Sequence, residues 1–241
     1  MVAAKEVMII MQARMSSERL PGKVLRTLGD NTLLGHILSR MKKSVYAKDI
    51  IVATSIEGND DAIEAECKLH CVNVSRGSQE DVLNRFYHAA TQFRASHIMR
   101  ICCDNPFIDY KTADRLIELY MQGDYDYADT KNYPLGIGAE IFPFTMLEKA
   151  EKLAHADYQR EHVTPFIIEN AKNKTTLLSD IDYSDYRFTV DTKEDWAFAQ
   201  AVYSQLYTKG RYFDYREIIK LLETKPEIRN INKFVEQRKT K

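Results

Sequence analysis

The chain has 241 residues, with 34 Lys and Arg against 35 Asp and Glu, a formal net charge of −1, and four cysteines. At about 150 residues per domain this allows one large domain or two small ones, long enough to bury a core without disulfide or metal staples. The near-neutral balance, with 44% hydrophobic and 29% charged residues, excludes a generally basic nucleic-acid binder, a membrane-spanning chain and a disulfide-rich secreted scaffold. The apolar run near the N-terminus is short, has Glu6 before it and Arg14 after it, and precedes no small-residue cleavage site, so it does not read as a signal peptide. A cytoplasmic globular enzyme is the expectation.

Residues 7–11 form a continuous apolar run, the pattern of a strand buried on both faces. The polar stretch 12–23, with Pro21 and Gly22, is a loop. Asn31 or Thr32 can cap a helix to about residue 43, with Leu33, Leu34, Ile37, Leu38 and Met41 on one side. A second buried strand follows at 49–54, a helix from Asn59 to about His70, and a short strand at 72–75. Ser78 with Asp81 fits a capping box opening a helix to about Phe93, and 97–103 is a fourth strand. This alternation implies a parallel sheet with right-handed crossovers. Beyond it we expect a helix at 111–121, a strand at 139–142, a helix at 145–154, a helical stretch at 157–170 broken by Pro165, a strand at 185–191, a helix capped by Thr192, and a last helix at 213–222. Residues 1–232 read as a single domain, and 233–241 as a basic solvated tail.

In an open parallel sheet, ligands bind outside the carboxyl ends of the strands. The loop after the first strand carries Arg14, Arg19 and Lys23, with Ser16, Ser17, Gly22 and backbone amides as neutral donors. That set can hold a polyphosphate by charge and by oriented N–H groups. Neither a P-loop nor a dinucleotide glycine fingerprint is present. Asp104 and Asp191 each end an apolar run, where carboxylates can hold Mg²⁺ beside a phosphate site. The other reading makes Asp191 a helix cap and Asp104 the start of a turn with Asn105 and Pro106. The four cysteines read as small buried residues. Asp124-Tyr-Asp126 matches a bare D-x-D metal motif, a spacing common by chance.

Gln12-Ala-Arg-Met-Ser-Ser-Glu-Arg-Leu-Pro-Gly-Lys-Val-Leu25 resembles the opening signature of the cytidylyltransferases that activate acidic sugars, closest to the branch of the spore coat polysaccharide biosynthesis protein SpsF. The similarity continues in order through residues 49–54, 76–85, 100–106, 136–140, 160–165 and 189–195. The resemblance implies a Rossmann-like, glycosyltransferase-A-like α/β nucleotidyltransferase fold, three-layered with a mostly parallel central sheet. It implies Mg²⁺-assisted transfer of CMP from CTP to a sugar or sugar-acid acceptor by a homodimer, with no nucleic acid or membrane partner. By matching positions, Arg14, Ser16, Arg19 and Lys23 would meet the triphosphate. Arg76 and Ser78 would lie near base and ribose, and Asp104 and Asp191 would hold Mg²⁺. Glu140, Arg160 and His162 would line the acceptor side. The sequence departs from the family at Cys102-Cys103, where the sialate and octulosonate branches often carry Gln or Gly. Two other readings remain: a nucleotide-sugar-dependent glycosyltransferase using Asp124 and Asp126, and a nucleotide-binding protein with a decayed site.

Overall fold

The computed structural model describes residues 7–237. Its strands are β1 (Val7–Gln12), β2 (Thr27–Leu28), β3 (Asn31–Thr32), β4 (Ala47–Ser55), β5 (Asn73–Gly77), β6 (His97–Cys102), β7 (Tyr127–Lys131), β8 (Glu140–Pro143) and β9 (Lys174–Leu178). Its helices are α1 (Leu33–Met41), α2 (Asp61–Leu69), α3 (Val82–Gln92), α4 (Tyr110–Met121), α5 (Phe144–Leu153), α6 (Asp157–His162), α7 (Pro165–Asn170), α8 (Lys193–Leu206), α9 (Tyr215–Thr224) and α10 (Pro226–Arg229). Seven strands form one sheet in the order β5-β4-β1-β6-β8-β7-β9. Only β8 runs against its neighbours in that sheet. The fold is therefore α/β with a mostly parallel central sheet, and β2 and β3 make a small separate hairpin.

The central strands alternate between two cores. Val7, Ile9 and Met11 of β1 face a core shared with α1, α4, α8 and α9. Met8 and Ile10 face a second core built with α3, α5 and α7. Both faces being covered explains the unbroken apolar run of β1, whose first five residues are all buried. Helix α1 buries the expected stripe, with Leu33, Leu34, Ile37, Leu38 and Met41 all at 0% exposure. Thr32 caps it, its side chain accepting from Gly35 N at 2.9 Å.

Several expectations are corrected. Residues 185–191 are not a strand. They make a single bridge, Leu135 to Arg187, because the facing chain turns at Gly136 (φ 101°). A Cβ there would stand 2.8 Å from Thr189 N and 2.9 Å from the Phe188 carbonyl carbon, so the two backbones touch where only glycine fits. Helix α3 is capped by Asp81, which accepts from Asn84 N at 2.9 Å; Ser78 accepts from Asp81 N one turn earlier. Cys67 and Cys103 are buried, but Cys71 is exposed and Cys102 half-buried. Cys71 sits at positive φ (49°) in the turn that ends α2, which carries its side chain outward. Asp126 accepts from Lys172 N and Asn173 N, so the D-x-D pair joins the segment before β7 to the one before β9. Both strands run parallel to β1, which puts that pair at the sheet edge opposite the strand ends discussed below. The stretch 157–170 breaks as expected, into α6 and α7 with Pro165 at the first position of the second. The part of the basic tail beyond Gln237 lies outside the described residues. Among those described, no helix is long and apolar enough to cross a membrane.

Candidate active site

The carboxyl ends of β1, β4, β5 and β6 lie at one edge of the sheet, and the segments that follow them converge there. The loop after β1 is held by three devices. Leu20 is buried in the first core. Met15 N donates to Asp60 Oδ1 at 2.8 Å, and Asp60, 1% exposed, also accepts from Ser55 N. Gly22 adopts a left-handed conformation (φ 67°), with its N–H on Met15 O, and starts the 3-10 turn Lys23–Leu25.

That turn delivers Lys23 into the sheet edge. The buried ammonium donates to Val190 O at 2.8 Å, Asp191 Oδ1 at 2.8 Å and Asp104 Oδ2 at 3.3 Å. Burial lowers its pKa, but Asp104 and Asp191 outweigh burial and hold it above the ordinary lysine value. Asp104 follows β6, and its carbonyl accepts from Val190 N at 2.7 Å, which brings the segment carrying Asp191 alongside. Asp191 does not cap α8. Thr192 does, in a capping box with Asp195, so the carboxylate of Asp191 points to Lys23, to Arg19 at 3.2 Å and to Arg187 at 3.0 Å. Burial opposes ionisation of Asp191, yet these three cations, Lys23 foremost, hold its carboxyl below the usual range.

Sequence reasoning missed the support beneath this cluster. Asp195 is fully buried. It accepts from Arg187 Nε at 2.8 Å, Asp191 N at 3.0 Å and Asn232 Nδ2 at 3.0 Å. Asn232 also donates to Arg187 O, and the Gln237 side chain accepts from Arg187. The C-terminal segment thus props the loop that carries Asp191. The capping pattern Thr192-x-x-Asp195 was legible in sequence; the ion pair from Arg187 to that capping residue was not.

The structure brings Arg19, Lys23, Asp104 and Asp191 into one cluster, in which Arg19 and Lys23 both pair with Asp191 and Lys23 also pairs with Asp104. Arg14, half-buried, makes no ion pair among the described residues. Ser16 Oγ lies 3.5 Å from Gln79 Oε1, joining the loops after β1 and β5. Other expected site residues have partners within the chain. Arg76 pairs with Asp61 and Glu64 of α2 and donates to Ser55 O and Glu57 O. Arg160 clamps Asp81 and Glu151, tying α6 to α3 and α5. Glu140 sits opposite Arg100 across β8 and β6, accepting from its guanidinium and from Tyr127 OH, each at 2.6 Å. His162 ends α6, and its carbonyl accepts from Thr164 N at 2.8 Å across Val163, which is buried at φ 69°, ψ −56°. That is the strained form of γ-turn, costly for a β-branched residue. Cys102 is pushed up to about 11 by burial and is a neutral thiol at neutral pH.

Lys23 thus lies between two carboxylates, beside an arginine-bearing loop, at the carboxyl edge of a mostly parallel sheet, where open α/β folds bind their ligands. A sequence model described as Cytidylyltransferase matches residues 8–237, and the chain belongs to the cytidylyltransferase family of nucleotidyltransferases. It is 43% identical over 233 residues to the protein MJ1063 of Methanocaldococcus jannaschii, covering 95% of each chain. It is 36% identical over 231 residues to the spore coat polysaccharide biosynthesis protein SpsF of Bacillus subtilis, covering 92% of this chain and 96% of that one. A cytidylyltransferase structure from Leptospira borgpetersenii superposes with a TM-score of 0.87 at 33% identity, covering 93% of this chain and 96% of that one.

Proposed function

We propose that the protein transfers CMP from CTP to a sugar or sugar-acid acceptor, releasing pyrophosphate, with Mg²⁺ held by Asp104 and Asp191, and that its product feeds a surface polysaccharide or glycan. The observation that carries this reading is the ammonium of Lys23 bridging both carboxylates. Two carboxylates already share a cation there, and Mg²⁺ is commonly bound by one or two carboxylates together with substrate phosphates. When bound, the ion would neutralise charge on the phosphate oxygens and the leaving pyrophosphate.

The chain's own residues supply positioning and charge. An acceptor oxygen attacks the α-phosphorus, and negative charge grows on the equatorial oxygens and on pyrophosphate. Lys23 and Arg19 stand at the cluster as fixed positive charge, which needs no reorganisation as that charge develops. Arg187 and Asp195 fix the direction of Asp191. No covalent nucleophile is needed for such an in-line transfer. The relationship to SpsF supports a role in polysaccharide synthesis, and a homodimer is proposed on the family pattern. The glycosyltransferase reading loses its metal motif, because Asp126 is spent on two backbone amides at the opposite edge.

The test is pyrophosphate release. Purified protein with CTP, Mg²⁺ and a panel of ulosonic acids and polyol phosphates is expected to release pyrophosphate with at least one acceptor. Release with none of them, while CTP binds, would overturn the transfer reading.

A further inference from the structure

A cavity of about 510 Å³ opens between α1, the end of α8 and the segment 207–213, a size that holds a small molecule. It lies well away from the Lys23 cluster. Helix α8 begins beside Asp191 and runs for 14 residues, about 20 Å. Tyr203 in its last turn and Tyr207 just past it form part of the cavity wall. Arg40 of α1 also lines the cavity and is 6% exposed. Its guanidinium donates to Phe213 O at 3.0 Å and Ile108 O at 3.4 Å, and it lies 5.1 Å from the ring centre of Tyr212. Neither Arg40 nor Lys43, exposed at the rim, makes an ion pair among the described residues. The other two cations of the wall are matched. Lys209 stands 3.8 Å from Asp30, and Arg211 pairs with Glu217. Buried Asp109, which accepts from Tyr212 OH, is also taken up by Thr112 Oγ1 and Lys111 N and does not line the cavity.

The wall therefore carries two positive charges that no carboxylate pairs, one of them a buried guanidinium, and such a charge is costly without a counterion. A phosphomonoester carries close to two negative charges at neutral pH, and arginine and lysine are its usual donors. The hydroxyls of Tyr207 and Tyr212 are spent on Asp30 and Asp109, which leaves their half-buried rings as flat apolar wall. We propose that this cavity is a second ligand site, which takes a phosphomonoester carried on a sugar ring. Arg40 and Lys43 hold the phosphate, and Tyr207 and Tyr212 face the ring. The site goes beyond CMP transfer and stands apart from the residues assigned to it.

Calorimetry with ribose 5-phosphate, CMP and inorganic phosphate tests this on the wild type, Lys43→Glu, Arg40→Met and Lys23→Ala. Ribose 5-phosphate is expected to bind the wild type and Lys23→Ala alike, within about twofold. Lys43→Glu should weaken it about tenfold and Arg40→Met about 10- to 100-fold. If Arg40→Met does not fold, the exposed Lys43→Glu carries the comparison. Inorganic phosphate should bind at least about fivefold more weakly, since it lacks the ring; equal affinity would overturn the sugar-ring assignment. CMP that still binds Lys23→Ala and is lost when Lys43→Glu is added supports the site and makes its occupant a nucleotide. CMP that needs Lys23, with ribose 5-phosphate still in the cavity, supports it with a free sugar phosphate. Binding of neither ligand that responds to Lys43→Glu or Arg40→Met would overturn the site, as would loss of both in Lys23→Ala. The transfer reading fails separately, by absent pyrophosphate release, and that failure leaves these affinities unchanged.

Discussion

Lys23→Ala is expected to lower kcat about 100- to 1,000-fold while changing the KM for the acceptor by less than about threefold. The ammonium sits between Asp104 and Asp191 at 3.3 and 2.8 Å, with a backbone carbonyl as its third acceptor. Its charge is thus fixed where phosphate charge would grow, and binding the acceptor does not need it. The same substitution leaves two carboxylates facing each other without the cation between them. Melting temperature should therefore fall at neutral pH, by an amount equivalent to about 3 kcal/mol. Restoring charge with Lys23→Arg should recover stability before it recovers rate, since the planar fork cannot reproduce a point charge in that gap. Equal losses in kcat and acceptor affinity would contradict the assigned role.

Asp191→Asn is the second large effect. The half-saturating Mg²⁺ concentration should rise about 10- to 100-fold, measured as rate against Mg²⁺ at fixed CTP. Asparagine keeps the shape and can still accept from Lys23, and Arg187 keeps its two bonds to Asp195. Loss of stability should be about 1–3 kcal/mol, that of hydrogen bonds to a charged group. The pH dependence has a definite sign. Asp191 is held below its ordinary value in the folded chain, so its contribution is present above the unfolded carboxylate pKa and is lost as pH falls through the folded one. Acid unfolding of the variant should therefore be shallower on that side. A Mg²⁺ titration superimposable on the wild type would return Asp191 to a purely structural role.

Much of the fold is legible in the sequence. The apolar runs of β1 and β4 and the stripe of α1 are strong periodic signals, because both faces of the central strands are covered. β7 and β9 were not foreseen. Tyr127-Ala-Asp-Thr-Lys131 and Lys174-Thr-Thr-Leu-Leu178 are short and half polar, and β9 is an edge strand whose outward residues face solvent. The opposite error, a strand at 185–191, came from an apolar alternation that the turn at Gly136 prevents from finding a partner. At the site, strand-end position offered Lys23, Asp104 and Asp191 as candidates, and the family resemblance was what set the two carboxylates apart from a helix cap and a turn. It could not show which charges the chain satisfies internally. Arg76 and Arg160 look like ligand contacts in sequence, whereas their partners Asp61, Glu64, Asp81 and Glu151 come from other helices. Asp60 is one of three polar residues in Asn59-Asp-Asp61, and nothing local says that it alone turns inward to hold Met15.

In the proposed reaction, metal and nucleotide meet at Lys23, Asp104 and Asp191. Electron paramagnetic resonance of Mn²⁺, titrated into the protein with CTP, tests it most directly. The wild type should show a protein-bound Mn²⁺–CTP spectrum that Asp104→Asn together with Asp191→Asn abolishes, in a variant that still melts cooperatively. A bound spectrum left intact by both substitutions would contradict the account.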